Sequence, residues 1–175
     1  MFEDLAVVAA RNFIGKDAEA VRFASPRGEL PRSFTPALAQ VCTMMAEGAT
    51  RTRASRSSKD AKLDVVAWRH FPDRQPGKLL LFGQCAAGDG WEDKLHELQP
   101  HDFCGAWLSE QPSSKPVKAF FIPHRVEKLG WEDAARHGGI FFDRCRLSFW
   151  VHTGTLPADT GPYVEWVQDV LKRLA

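Results

Sequence analysis

No two of the four cysteines, at positions 42, 85, 104 and 145, form a CxxC pair, and their gaps of 43, 19 and 41 residues do not suit a small disulfide scaffold. Reduced thiols in a cytoplasm are therefore expected. Charge of one sign is also missing. The 23 Lys and Arg against 22 Asp and Glu leave a net +1, so any nucleic-acid-binding surface must be local. Wholly apolar runs such as Leu79 to Phe82 and Ala119 to Ile122 are a few residues long, against roughly 20 needed to cross a bilayer. The acidic N-terminus, Met1-Phe2-Glu3-Asp4, lacks the basic region and continuous apolar stretch of an export signal. Together these absences predict a cytoplasmic protein with no membrane partner.

What is present is enough for one core. With 175 residues, 44% hydrophobic and six Trp, the chain matches one domain of roughly 150 residues, spanning 1–175. Phe2, Leu5, Ala9 and Phe13 recur at helical spacing, with Glu3 and Asp4 in the first turn, and predict a helix over 2–13 ended by Gly15. Residues 19–23 alternate as a short strand. Thr35-Pro36 reads as an N-cap and first helical position, opening a helix that stops near Gly48. Residues 63–68 and 78–84 read as two strands of an antiparallel hairpin, and 117–122 as another strand. Trp91, Leu95 and Leu98 predict a helix after Gly88-Asp89-Gly90; residues 131–137 predict a short helix, and 139–142 and 147–151 further strands. The shared GWED at 90–93 and 130–133 reflects helix-start chemistry, since KLHEL comes after the first and AARHGG after the second. Tyr163, Trp166, Val167, Val170, Leu171 and Leu174 line one face of a C-terminal amphipathic helix.

Polar residues inside apolar strands are the informative positions. Asp64 lies in LDVVAW, where strand propensity disfavours it, and Gln84 ends a strand with four consecutive large apolar residues. The alternative for Asp64 is a strand-end residue bonded to backbone. From Arg51 to Lys62 the chain carries five basic residues (Arg51, Arg53, Arg56, Lys59 and Lys62) against Asp60 alone. It reads either as a solvated loop or, placed just before the Asp64 strand, as a segment that tracks phosphates. His101 and Cys104 have metal-like spacing, but with no second close pair His124, His137, Cys145 and His152 read as isolated residues.

The segment DAKLD at 60–64, the VVAW after it and the second strand ending in GQC resemble the restriction-endonuclease-like, or PD-(D/E)XK, nuclease superfamily, and within it the Mrr-like branch. They are similar to that branch's Asp, Gly-rich step, Ile-Asp, apolar strand and Gln-Cys-Lys, and Glu3 in MFEDL is similar to the acid on its first helix. The resemblance covers about residues 1–24 and 59–122. It implies an α/β fold with a central mixed β-sheet flanked by helices, an inserted helix and the C-terminal amphipathic helix. It also implies metal-dependent hydrolysis of phosphodiester bonds in DNA, in restriction or antiphage defence, with DNA and other subunits of a defence system as partners. Asp64 would be the central ligand of Mg²⁺ or Mn²⁺, Gln84 a neutral oxygen ligand, the Cys85 carbonyl a third, and Glu3 an outer or second-metal ligand.

One position departs from the pattern: the family's lysine two residues after Gln84 is Ala86. Lys94, one turn into the next predicted helix, is the preferred replacement, with Lys62, two residues before Asp64 and expected on the same strand face, the other candidate. If neither reaches the site, the fold is expected to bind DNA or a partner protein without catalysis.

Overall fold

The computed structural model describes residues 1–51, 61–153 and 161. In chain order its elements are α1 (Phe2–Ile14), β1 (Ala18–Arg22), α2 (Phe34–Met45), β2 (Ala49–Thr50), β3 (Val65–Arg69), β4 (Leu79–Cys85), a 3-10 turn (Glu92–Lys94), α3 (Pro100–Trp107), β5 (Leu108–Glu110), β6 (Val117–Phe121), α4 (Lys128–Gly138), β7 (Ile140–Phe142) and α5 (Arg144–Thr153).

Five strands form a mixed sheet in the order β1-β3-β4-β6-β7. The β1–β3 and β3–β4 pairings are antiparallel, and β4–β6 and β6–β7 are parallel. The predicted hairpin is present, with Val65 opposite Gly83 and Trp68 opposite Leu80. β2 and β5 make a separate two-stranded ribbon that no sequence pattern had marked.

Strand alternation sends side chains to two cores. On one face, Ala6, Ala9 and Ala10 let α1 lie close to Val65, Ala67, Leu81, Ala119 and Phe121, and α5 adds Leu147 and Val151. On the other, Val66, Trp68, Leu80 and Phe82 pack on Leu38, Val41 and Met45 of α2 and Phe103 of α3. A third cluster joins Trp91, Leu95 and Ala134 to Phe120, Ile122 and Phe141. The result is an α/β sheet covered by helices on both faces. Among the described residues no helix is long and apolar enough to cross a membrane.

Four expectations are corrected. The segment after Gly90 is only a 3-10 turn, and the α-helix starts later, at Pro100. Leu95 and Leu98 are buried as expected, but a proline at 100 holds Gln99 extended (φ −117°, ψ 108°) and interrupts the helix. Residues 147–151 are not a strand but part of α5: Leu147 and Val151, four apart, bury on one helical face. The helix start is marked by Asp143, whose Oδ1 accepts the Arg146 N–H at 2.9 Å. α2 begins one residue before Thr35, with Ser33 at the N-cap, so Pro36 is its third residue, still in the first turn where no N–H is required. α4 begins at Lys128, placing the second GWED inside the helix and not at its start. The C-terminal helix read at 163–174 lies outside the described residues, as do 52–60.

Candidate functional site

Asp64 stands immediately before β3, at the same end of the sheet as Gln84 and Cys85. Its N–H donates to the Gly83 carbonyl at 2.8 Å, and its carbonyl accepts the Phe23 N–H at 2.7 Å and the Ala24 N–H at 3.1 Å. Gly83 thus faces both Asp64 and Val65, and alternation breaks there. Leu63 and Val66 belong to one core, while Val65 and Ala67 belong to the other. The Asp64 Oδ2 accepts the Cys85 backbone N–H at 2.7 Å. This is the backbone-bonded strand-end role.

Burial, followed by the Asp64, Glu3 and Asp4 carboxylates, pushes the Cys85 thiol well above the usual cysteine range. Phe2 and Leu5, at the start of α1, pack on the same core as Cys85. Glu3 itself lies 3.6 Å from the N-terminal ammonium, while its neighbour Asp4 holds Arg22 at 2.9 Å. Cys42 and Cys104 are buried, and burial pushes each thiol up to about 11, leaving both as neutral core residues at neutral pH.

The buried Gln84 makes two hydrogen bonds away from Asp64. Its Nε2 donates to Glu97 Oε2 at 2.6 Å, and its Oε1 accepts the Leu98 N–H at 3.2 Å. Glu97 Oε1 in turn accepts from Lys62 Nζ at 3.1 Å. Burial works to raise the Glu97 carboxyl. Hydrogen bonds from Lys62 and Gln84, with the charges of Lys62 and Lys94, reverse that and leave it below the usual glutamate value. Lys62 thus bonds Glu97, a residue that sequence reasoning missed, while Lys94 acts on it through charge alone. Nothing in KLHEL sets it apart from a solvated helix acid.

Lys62 does not continue the β3 alternation back from Asp64. Ala61 and Lys62 have φ of 51° and 67°, outside extended geometry, so the expected shared strand face is replaced by a turn. Ala86 is 1% exposed and packs with Trp91, Leu95 and Phe120, so the position where the family has lysine is part of an apolar core.

The basic segment is only partly described. Arg51 is taken up by protein carbonyls, its Nε donating to Leu108 O at 3.1 Å and an Nη to Gly105 O at 2.9 Å. That pairing fastens the β2–β5 ribbon to α3. Arg53, Arg56 and Lys59 lie outside the described residues.

No protein-family model, curated protein or solved structure matches this chain.

Among the described residues no three His, Cys, Asp or Glu side chains converge as a metal-binding group. The oxygen groups that the sequence singled out at that end of β3 and β4 are the Asp64 carboxylate, which accepts the Cys85 N–H, the Gln84 amide oxygen, which accepts the Leu98 N–H, and the Cys85 carbonyl. Gln84 Oε1 has two lone pairs, of which the Leu98 N–H uses one. An all-oxygen set suits Mg²⁺ or Mn²⁺ and not zinc.

Proposed function

We propose that this chain is a metal-dependent nuclease of the restriction-endonuclease-like type that hydrolyses phosphodiester bonds in DNA in restriction or antiphage defence. The observation that carries the reading is that Asp64 and Gln84 stand at the same end of the β3–β4 hairpin, with Lys62 bonded to Glu97, the partner of Gln84. With α2 and the β2–β5 ribbon set aside as insertions, the element order supports it: helix α1, the antiparallel strands β1, β3 and β4, helix α3, then β6 parallel to β4.

Asp64, the Gln84 amide oxygen and the Cys85 carbonyl would hold Mg²⁺ or Mn²⁺. Such an ion, when bound, neutralises phosphate charge and lowers the pKa of water. Lys94 and Lys62 add positive charge beside the same strand end, where an anionic phosphodiester must be received. Glu3, at the start of α1, adds negative charge near Cys85.

A supercoiled-plasmid assay with Mg²⁺ or Mn²⁺ tests the reading. Wild-type protein is expected to nick the plasmid, EDTA to stop it, and Asp64→Ala to lower the rate at least about a hundredfold, or ~2.7 kcal/mol of barrier. Equal nicking by both proteins, or none by either, overturns the enzyme.

Ala86 in its apolar cluster favours a second reading, a nuclease-fold module that binds DNA or a protein partner without cutting. That reading expects affinity for duplex DNA that falls steeply with salt and is unchanged by EDTA. A flat dependence on salt removes the DNA form of it.

A further inference from the structure

We infer that residues 163–174 of this chain dock by their apolar face into a groove between its own helices α1 and α5.

The groove has a volume of about 510 Å³. α5 lines it with Arg144, Leu147, Ser148, Val151 and His152, spaced i, i+3, i+4, i+7 and i+8, which is one stripe along the whole helix. Phe2 and Leu5 of α1 line it as well, with Ala87 and Pro123 from just beyond β4 and β6. Its only polar side chains are Arg144, Ser148 and His152, and all three are exposed. An apolar surface edged in this way is suited to another apolar element.

Connectivity names the occupant. α5 ends at Thr153, the neighbour of His152 on the groove, and its ten residues make it about 15 Å long. Residues 154–162 read GTLPADTGP, nine residues rich in turn formers, and such a length spans at most about 30 Å. That is enough to bring the chain back along α5. Gly161 is helical, next to Pro162, where the predicted C-terminal helix is entered. A short tether gives the segment an effective concentration on the order of millimolar at the groove, an advantage that no free ligand or second copy has.

The segment in turn requires such a surface. Tyr163, Trp166, Val167, Val170, Leu171 and Leu174 share one helical face, while Glu165, Gln168 and Lys172 fall opposite. A helix this short is marginal in water unless packing covers its apolar side. Two apolar stripes that adjoin in sequence thus meet one another's need.

The test uses the full chain with a nitroxide on Cys145, the one exposed cysteine of the four and the second residue of α5. In ¹H–¹⁵N spectra the amides of 163–174 are expected to lose most of their intensity, together with those of Phe2 and Leu5 on the same groove. Hydrogen exchange at 163–174 should be at least about tenfold slower than in an unstructured peptide. Val167→Asp/Leu171→Asp puts two carboxylates on the docking face. It should restore the 163–174 signals and remove the slow exchange, while Phe2 and Leu5 stay broadened and report an intact fold. Gln168→Asp, on the opposite face, is expected to change neither measurement. Trp166→Ala should reproduce part of the release, and it decides the matter if the Asp pair disturbs Phe2 and Leu5. Broadening that survives the face substitutions means that the tether alone keeps the segment near, and overturns the inference. So does a wild-type segment that is neither broadened nor slow to exchange, which leaves the groove to another occupant. Spin-labelled chain without ¹⁵N, mixed with unlabelled ¹⁵N chain, is expected to leave 163–174 sharp. Broadening there places the segment on a second copy and overturns docking within one chain.

Discussion

Glu47→Ala is expected to destabilise the fold by about 3–5 kcal/mol, the cost of leaving one member of a buried ion pair without its partner. The side chains of Lys78 and Glu47 are 0% and 1% exposed and approach to 3.2 Å. Lys78 Nζ also donates to the Met45 carbonyl at 2.8 Å. The carboxylate does more than face the lysine. One oxygen accepts the Gly77 N–H at 2.8 Å and the Lys78 N–H at 3.3 Å, and the other accepts the Ser113 N–H at 2.9 Å. A single side chain thereby ties the end of α2, the start of β4 and the loop before β6. Against a total stability of about 5–15 kcal/mol for a domain, the loss is large, and urea denaturation of the two proteins reads it directly.

The same group gives a pH dependence with a definite sign. Burial alone would raise the Glu47 carboxyl, but the N–H donors of Gly77, Lys78 and Ser113 and the Lys78 ammonium leave it below the ordinary value of 4.5. A depressed carboxylate stabilises the fold fully above its unfolded-state value, and the contribution fades as pH falls through the lower folded value. Wild type should therefore lose stability on acidification below about pH 4.5, while Glu47→Ala lacks this part of the slope. Parallel acid titrations of the two proteins would refute the assignment.

Gly83→Val should destabilise by about 3 kcal/mol, the upper end of ordinary overpacking costs. A Cβ at Gly83 would lie 2.5 Å from Phe121 Cε2 and 3.3 Å from Val65 Cβ. Phe121 cannot give way, because its ring is fully buried and stacked on Phe142 with centroids 4.7 Å apart. Here glycine answers a lack of space between paired strands. Gly83 also supplies the carbonyl that receives the Asp64 N–H, so pushing β4 aside displaces the candidate site as well. A thermal melt that matches wild type would show that the sheet can absorb the extra group and that this packing argument is wrong.

Much of the α/β arrangement was legible because burial follows period. The hairpin of β3 and β4, the strand β6 and the helices α1, α2 and α4 all carry their spacing in the sequence. The exceptions have local causes. Leu147 and Val151 sit in a window too short to separate helical from strand spacing. Pro100 broke a helix whose apolar positions had looked continuous. Polar residues in apolar strands marked Asp64 and Gln84, because burying such groups demands partners. The partners themselves left no such mark: Glu97 lies 13 positions from Gln84 and 35 from Lys62, and Arg51 finds its carbonyls more than 50 residues away.

Composition and spacing by themselves determined that this chain alternates helices with buried strands and places an acid and an amide at neighbouring strand ends. Those are properties of consecutive residues, set by backbone geometry and the gain from covering apolar surface. Only the tertiary structure decided that Glu97 bonds both Gln84 and Lys62, and that Arg51 bonds the carbonyls of Gly105 and Leu108. Hydrogen bonds and ion pairs act over a few ångströms in space, and their partners become identifiable only once distant segments have been packed together.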